Sequence, residues 1–130
     1  MRFIGPLLSL LAVSPLAFAA APATDAKLER FSKLAANSNG GLIQLTDSLF
    51  TAITTAPRSY TAAVLFTALD KKYNCAMCKD FQPEYELLAR SWRNAAKGED
   101  GLYFGVLDFD NGRDTFMKVC PTRPDPREMC

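Results

Sequence analysis

Histidine does not occur anywhere in this 130-residue sequence. A zinc site takes four ligands, usually two CxxC-like pairs or one such pair with two histidines. The chain offers one CxxC pair, Cys75 and Cys78, and two further cysteines, Cys120 and Cys130, separated by nine residues of a proline-rich stretch. That set is a poor zinc centre, and no metal or other cofactor is expected. An excess of charge is also missing. Lys plus Arg number 15 and Asp plus Glu number 14, which gives no reason to expect nucleic acid or an anionic membrane as partner. None of the asparagines is followed two places on by Ser or Thr, so no N-glycan is expected. Beyond the first twenty residues no run is long and apolar enough to span a bilayer, which takes about 20 residues.

What is present begins with "MRFIGPLLSLLAVSPLAFAA". One early positive charge at Arg2, an apolar run from Phe3 to Phe18 and small residues at Ala17 and Ala19 are the layout of a secretory signal peptide. Residues 1–19 are expected to be removed near Ala19, with Ala23 as the alternative. Pro6 and Pro15 interrupt the run and argue against a membrane anchor. Removal takes away Arg2 alone among charged residues and leaves a balanced chain. A secreted chain meets an oxidising compartment, where paired cysteines persist as disulfides.

Along the remainder, Leu28, Phe31, Leu34 and Ala35 recur at helical spacing, and Gly40 and Gly41 close that helix. "LIQL" reads as a short strand. Thr46 or Asp47 caps a short helix carrying Leu49, Phe50 and Ile53, which ends at Pro57. "SYTAAVLFTAL" is almost continuously apolar and suits an interior strand covered on both faces. After the cysteines, Phe81, Tyr85, Leu88 and Trp92 mark one stripe of an amphipathic helix, with Phe81 and Trp92 expected in the core. Arg90, Arg93 and Lys97 place positive charge near its C-terminus, which suits the helix dipole. "LYFGVLDFD" reads as a second buried strand, and "NGRDTFMKV" as a turn entering a helix. Strands alternating with helices predict an α/β layered sandwich with parallel crossovers. Residues 120–130, with Pro121, Pro124 and Pro126, read as an irregular, disordered tail.

Cys75 is expected where the loop from a buried strand enters a helix. Unpaired backbone N–H groups and the positive dipole end would face its sulfur there and favour thiolate, the attacking form in disulfide exchange. Cys78 would lie one turn in and more buried. Lys71, Lys72 and Lys79 add positive charge nearby and Asp70 and Asp80 subtract it, so the sign of the net field stays open. Pro83 falls inside the helical stripe, where proline costs about 3 kcal/mol unless packing compensates; the alternative is a helix that starts later. Met77, between the cysteines, is an adaptable apolar side chain suited either to a client peptide or to packing on the domain edge.

From Gly41 to Val119 the sequence resembles the lumenal domain of the thioredoxin-like accessory subunit of eukaryotic oligosaccharyltransferase. The carrying motifs are "LFTAL", "NCAMC", "FQPEYELLARSW" and "DFDNGRDTF", four in order. The resemblance implies a thioredoxin-like fold over residues 25–119 in the endoplasmic reticulum lumen. It also implies a role in N-linked glycosylation that is not glycan transfer itself. Partners would be the other oligosaccharyltransferase subunits and nascent client polypeptides held through mixed disulfides, with Cys75 attacking and Cys78 resolving. Met77 is the candidate peptide contact. Broad disulfide isomerases usually carry Gly-His between their cysteines and Trp before them; here those places hold Ala76, Met77 and Asn74.

In the family, a strand beginning at a cis-proline, a closing hairpin, a last helix and four membrane spans follow the segment that ends here at Val119. Against that pattern the expectation is an incomplete thioredoxin-like sandwich lacking those elements, with membrane attachment only through the missing spans. Val119–Cys120 can be encoded by GTATGT, a common intron start, so read-through is one account of residues 120–130. Two other functional classes stand beside the leading one. They are a freestanding secreted thiol-disulfide oxidoreductase and a truncated remnant without function.

Overall fold

A computed structural model describes residues 22–96 and 101–119. The expected leader over residues 1–19 and the tail over residues 120–130, with Cys120 and Cys130, lie outside the described residues. Helix α1 (Pro22–Asn37) leads to strand β1 (Leu42–Gln44), helix α2 (Asp47–Thr54) and strand β2 (Thr61–Thr67). Helix α3 (Ala76–Ala96), strand β3 (Leu102–Asp108) and helix α4 (Arg113–Val119) follow. This is the element order that the periodicities predict.

The strands form one parallel sheet in the order β1-β3-β2. Leu42 lies opposite Phe104, and Thr61 opposite Leu102, with both registers running on in parallel. Alternation along the strands then divides the apolar residues between two faces. On one face Phe31 of α1, Ile53 of α2 and Phe116 of α4 pack with Ile43, Tyr103 and Leu107 of the sheet. On the other, Tyr85 and Ala89 of α3 pack with Leu42, Phe104 and Val106. Phe31, Ile53 and Leu107 are fully buried, each contributing roughly 1.5–3 kcal/mol of apolar transfer free energy. Tyr85 fixes α3 to the sheet through its tip as well as its ring. Its hydroxyl donates to the Ala63 carbonyl at 2.9 Å and lies 3.2 Å from that of Gly105, and burial pushes its pKa up to about 12.

Helix α1 ends where expected. Gly40 and Gly41 take φ of 63° and 82°, the left-handed region that favours glycine. Arg93 reaches across from α3 and donates to the carbonyls of Ala35 at 2.8 Å and Ala36 at 3.0 Å. The positive charge read as suiting the dipole of its own helix thus satisfies the last carbonyls of α1 instead.

Two expectations are corrected. Strand β2 is not interior: among the described residues it pairs with β3 alone and stands at the sheet edge, and Ala62 to Phe66 are only half-buried. Its apolar composition suits burial more complete than these neighbours provide. The buried stripe of α3 also differs from the one read in the sequence. Cys78, Gln82, Tyr85 and Ala89 face inward, whereas Phe81, Leu88 and Trp92 are 51%, 52% and 38% exposed. Both stripes have helical spacing and share Tyr85; Ala89 is the residue small enough for the helix to approach the sheet. Helix α3 runs unbroken through Pro83, which removes the alternative of a later start.

Of the two candidate caps for α2, Thr46 takes the position, its Oγ1 accepting from the Leu49 N–H at 3.4 Å. Asp47 serves a different helix. Its Oδ1 accepts from the backbone N–H of Thr115 at 2.8 Å and from the Thr115 hydroxyl at 2.6 Å, capping α4 from a distance in sequence. The Thr115 hydroxyl bond also holds the Asp47 carboxyl below its ordinary pKa. Asp47→Ala is expected to lower stability by about 1 kcal/mol, as loss of a helix cap does. Because the folded pKa is depressed, that contribution is present above the unfolded pKa of about 4 and fades as pH falls through the lower folded value. Thermal melts of Asp47→Ala and the parent chain should therefore converge in acid; an equal gap at every pH would contradict the cap.

Candidate functional site

The turn between β2 and α3 is built to deliver one sulfur to a helix end. After Ala68 and Leu69, Asp70 opens a single turn of 3-10 helix over Lys71–Tyr73, its carboxylate accepting from the Lys72 N–H at 2.9 Å. Asn74 then takes φ 49° and ψ 36°. Asparagine tolerates this left-handed conformation better than most residues. Cys75 follows immediately before α3, at the position of its N-cap. The Cys78 backbone N–H donates to Cys75 Sγ at 3.2 Å, so the sulfur takes the place a capping oxygen usually fills.

Cys75 and Cys78 are joined in a disulfide with Cα atoms 5.3 Å apart. Both are buried, Cys75 at 8% and Cys78 at 3% exposure, in the order that the spacing predicts. Ala68, Tyr73, Leu69 and Phe109 pack around them. Met77, between the two cysteines in sequence, is 77% exposed.

Of the flanking charges, Lys72 and Asp70 are committed to partners. Lys72 Nζ lies 2.8 Å from both Asp110 oxygens and 3.6 Å from Asp70. Asp110 also accepts from the Tyr73 hydroxyl and from Arg113, the latter at 3.4 Å. These donors push the Asp110 carboxyl down to about 2, with Lys72 the largest cause. Lys72 in turn is raised well above the ordinary lysine range, chiefly by Asp110. One residue pair earlier, Asp108 accepts from the Leu69 N–H at 2.9 Å and from the Asp110 N–H at 3.0 Å. The end of β3 therefore holds both ends of the cysteine-bearing turn. Sequence reading placed these aspartates in a motif without giving them a task. The available signal was two carboxylates two apart at a strand end, directly before Asn111 and Gly112.

Beside the disulfide lies a cleft of about 410 Å³, lined by Leu65, Thr67, Met77, Cys78, Phe81 and Phe116 among others. It is mostly apolar. The Thr67 hydroxyl is buried and has no hydrogen-bond partner among the described residues. Of the disulfide pair, Cys78 borders this apolar bed.

The sequence matches a known family. The model of the OST3 / OST6 family, described as a transporter family, matches residues 29–120. Dolichyl-diphosphooligosaccharide–protein glycosyltransferase subunit MAGT1 of Xenopus laevis is 42% identical over 67 residues, which are 52% of this chain and 20% of the relative. The Danio rerio protein of the same name is 35% identical over 83 residues, 63% of this chain and 25% of the relative. Subunit 3 of the Schizosaccharomyces pombe glycosyltransferase is 33% identical over 90 residues, 67% of this chain and 29% of the relative. The matches thus span less than a third of the length of each of these relatives.

The Asp110 assembly gives a pH signature. Its carboxylate form is stabilised in the fold, so the tie to Lys72, Tyr73 and Arg113 is intact above about pH 4, where an ordinary aspartate ionises, and is lost as pH falls through about 2. Following the Asp110 side-chain carboxyl carbon by NMR should give a midpoint near 2. A midpoint at the ordinary aspartate value would mean that the tie does not form in solution.

Proposed function

Because the chain belongs to the OST3 / OST6 family, we propose that it is an accessory subunit of oligosaccharyltransferase acting in protein N-linked glycosylation. Its task there is thiol chemistry, not glycan transfer. It holds client polypeptides through transient mixed disulfides in the endoplasmic reticulum lumen, with the expected leader directing it there. The observation that carries this reading is Cys75 at the N-terminus of α3, its sulfur accepting the Cys78 N–H and bonded to Cys78. The three-stranded parallel sheet with α3 on one face and α1, α2 and α4 on the other is read as the corresponding part of a thioredoxin-like fold. Strand β2, apolar and at the edge, is where a further strand would pair.

With the pair reduced, Cys75 as thiolate attacks one sulfur of a client disulfide, and the other client sulfur leaves as thiolate. Cys78, deprotonated, then attacks Cys75 Sγ. This closes the Cys75–Cys78 disulfide and expels the client's second sulfur. The client gains two electrons and two protons, and the cysteine pair loses them. In the opposite direction, starting from the disulfide seen here, a client thiolate attacks Cys75 Sγ and Cys78 leaves as thiolate. The field of the helix N-terminus favours the Cys75 thiolate. Burial of Cys78 keeps the second sulfur for the intramolecular step. Met77 and Phe81, exposed at the rim of the apolar cleft, supply a bed for client side chains. Among the described residues no helix is long and apolar enough to cross a membrane.

Cys78→Ser should accumulate mixed disulfides through Cys75, because the resolving attack is gone. Cys75→Ser should accumulate none. Non-reducing gels of the two variants in the endoplasmic reticulum, with the adduct site mapped by mass spectrometry, make the comparison. Adducts abundant with Cys75→Ser and absent with Cys78→Ser would reverse the two roles. Adducts with neither would sink the capture mechanism.

A further inference from the structure

The turn that carries Cys75 contains two lysines, and a third follows in the first turn of α3. A free ammonium near the sulfur would favour thiolate beyond what the helix end achieves. That has a consequence for a sulfur whose work is to hold a client. When a client's own second thiol attacks the mixed disulfide, Cys75 is the leaving group, and a thiol of lower pKa leaves faster. A device for capture is therefore served by keeping such charge away from the sulfur.

We propose, resting on the reading of Cys75 as the attacking thiol, that Asp110 is a positioning residue for that sulfur. It clamps the Asp70–Asn74 turn through Lys72 and Tyr73 and keeps the Lys72 charge bound to itself. The geometry is specific. Both Asp110 oxygens lie 2.8 Å from Lys72 Nζ, and the Tyr73 hydroxyl donates to the same carboxylate. Lys72 Nζ sits 4.8 Å from the Tyr73 ring centre, and that ring packs edge-on against Phe109 at 5.2 Å. Tyr73 and Phe109 are in turn the aromatic neighbours of Cys75 and Cys78. One carboxylate on the β3–α4 loop thus fixes the side chains on which the cysteine pair rests.

The other charged groups around the turn are Asp70 and Lys71 on the turn itself, Lys79 and Asp80 on α3, Asp108 on β3 and Arg113 on α4. Asp108 is committed to the Leu69 and Asp110 N–H groups, and Arg113 to Asp110 and Tyr73. Asp70 is a second, longer partner of Lys72 at 3.6 Å, while Lys71 adjoins Asp70 and Lys79 adjoins Asp80 in sequence. Lys72 and Asp110 are the closest of these pairs across the turn, and theirs are the two charges to separate.

The test is the pH profile of Cys75 alkylation by iodoacetamide in the reduced full chain, read residue by residue from peptide masses. Asp110→Asn, which keeps the shape and loses the charge, should lower the Cys75 midpoint by about half a pH unit, about threefold more thiolate at a fixed pH below it. Lys72→Met should raise the midpoint, and the double variant should return it to the parent value. Unmoved midpoints in both single variants, with thermal stability lowered, would reduce Asp110 to a structural role and overturn the proposal. A double variant that tracks Lys72→Met would also overturn it, since Lys72 would then act on the sulfur directly. Should Asp110→Asn not fold, the parent chain alone still decides. A midpoint indifferent to salt is expected of cancelling charges, and one that rises with salt would show an unspent cation acting on the sulfur. Alkylation needs no client, so failure here is separate from failure of client capture.

Discussion

Strand β3 is the constraint on which the rest of the structure depends. It is the central strand of the sheet among the described residues, flanked in parallel by β1 and β2. Its alternating residues supply both cores, Tyr103 and Leu107 to one and Phe104 and Val106 to the other. There is no slack in its middle, where a Cβ on Gly105 would come within 2.6 Å of Leu45, itself buried. The same strand ends in Asp108, and the chain turns through Asp110 into α4. One continuous segment therefore fixes the sheet, the far helix and the turn that presents Cys75. A parallel sheet places such segments together because crossovers return each strand end to the same edge of the layer.

The cysteine site combines two sources of field with different reach. The first turn of α3 presents backbone N–H groups at its N-terminus, and that of Cys78 donates to Cys75 Sγ. That contribution comes from the backbone and survives substitution of surface side chains. The lysines would act by free charge, which salt screens. Lys72 is instead held between Asp110 and Asp70. A sulfur governed mainly by its helix terminus has a reactivity that follows from the fold and changes little with the ionic surroundings.

Much of this was legible in the sequence. Strict helical spacing of Leu28, Phe31, Leu34 and Ala35 gave α1 its inner face, and Gly40–Gly41 its end. CxxC at a strand-to-helix junction was enough to place Cys75 at the helix start and Cys78 deeper. The misreadings share a cause, since periodicity reports amphipathicity without saying which neighbour is present. On α3, the spacing of Phe81, Tyr85, Leu88 and Trp92 marks one stripe as the inward face, with Phe81 and Trp92 in the core. Packing instead chose Cys78, Gln82, Tyr85 and Ala89, for which the sheet leaves room. On β2 a continuous apolar run implied cover on both faces and an interior place. The residues around it supply cover for part of that surface only.

The polar network was illegible for a different reason. Nothing in a linear pattern states that Asp47 will cap α4 or that Asp110 will gather Lys72 and Tyr73, because those ties join segments tens of residues apart; only the Asp110–Arg113 contact is local. Their positions nevertheless follow a rule that the fold makes visible. Asp108 and Asp110 sit where a parallel strand runs out and backbone N–H groups of a neighbouring turn would otherwise be left without acceptors. Leu69 is such a group, and Asp108 takes it. Buried or half-buried donors that lose water must find acceptors or cost roughly 1–3 kcal/mol each. A carboxylate at a strand end meets that need and then has capacity left for cations. Read this way, the "DFD" segment is first a device for satisfying a turn. Its hold on Lys72, and through Tyr73 on the cysteine pair, comes from placing those acceptors beside the one turn that carries the sulfur.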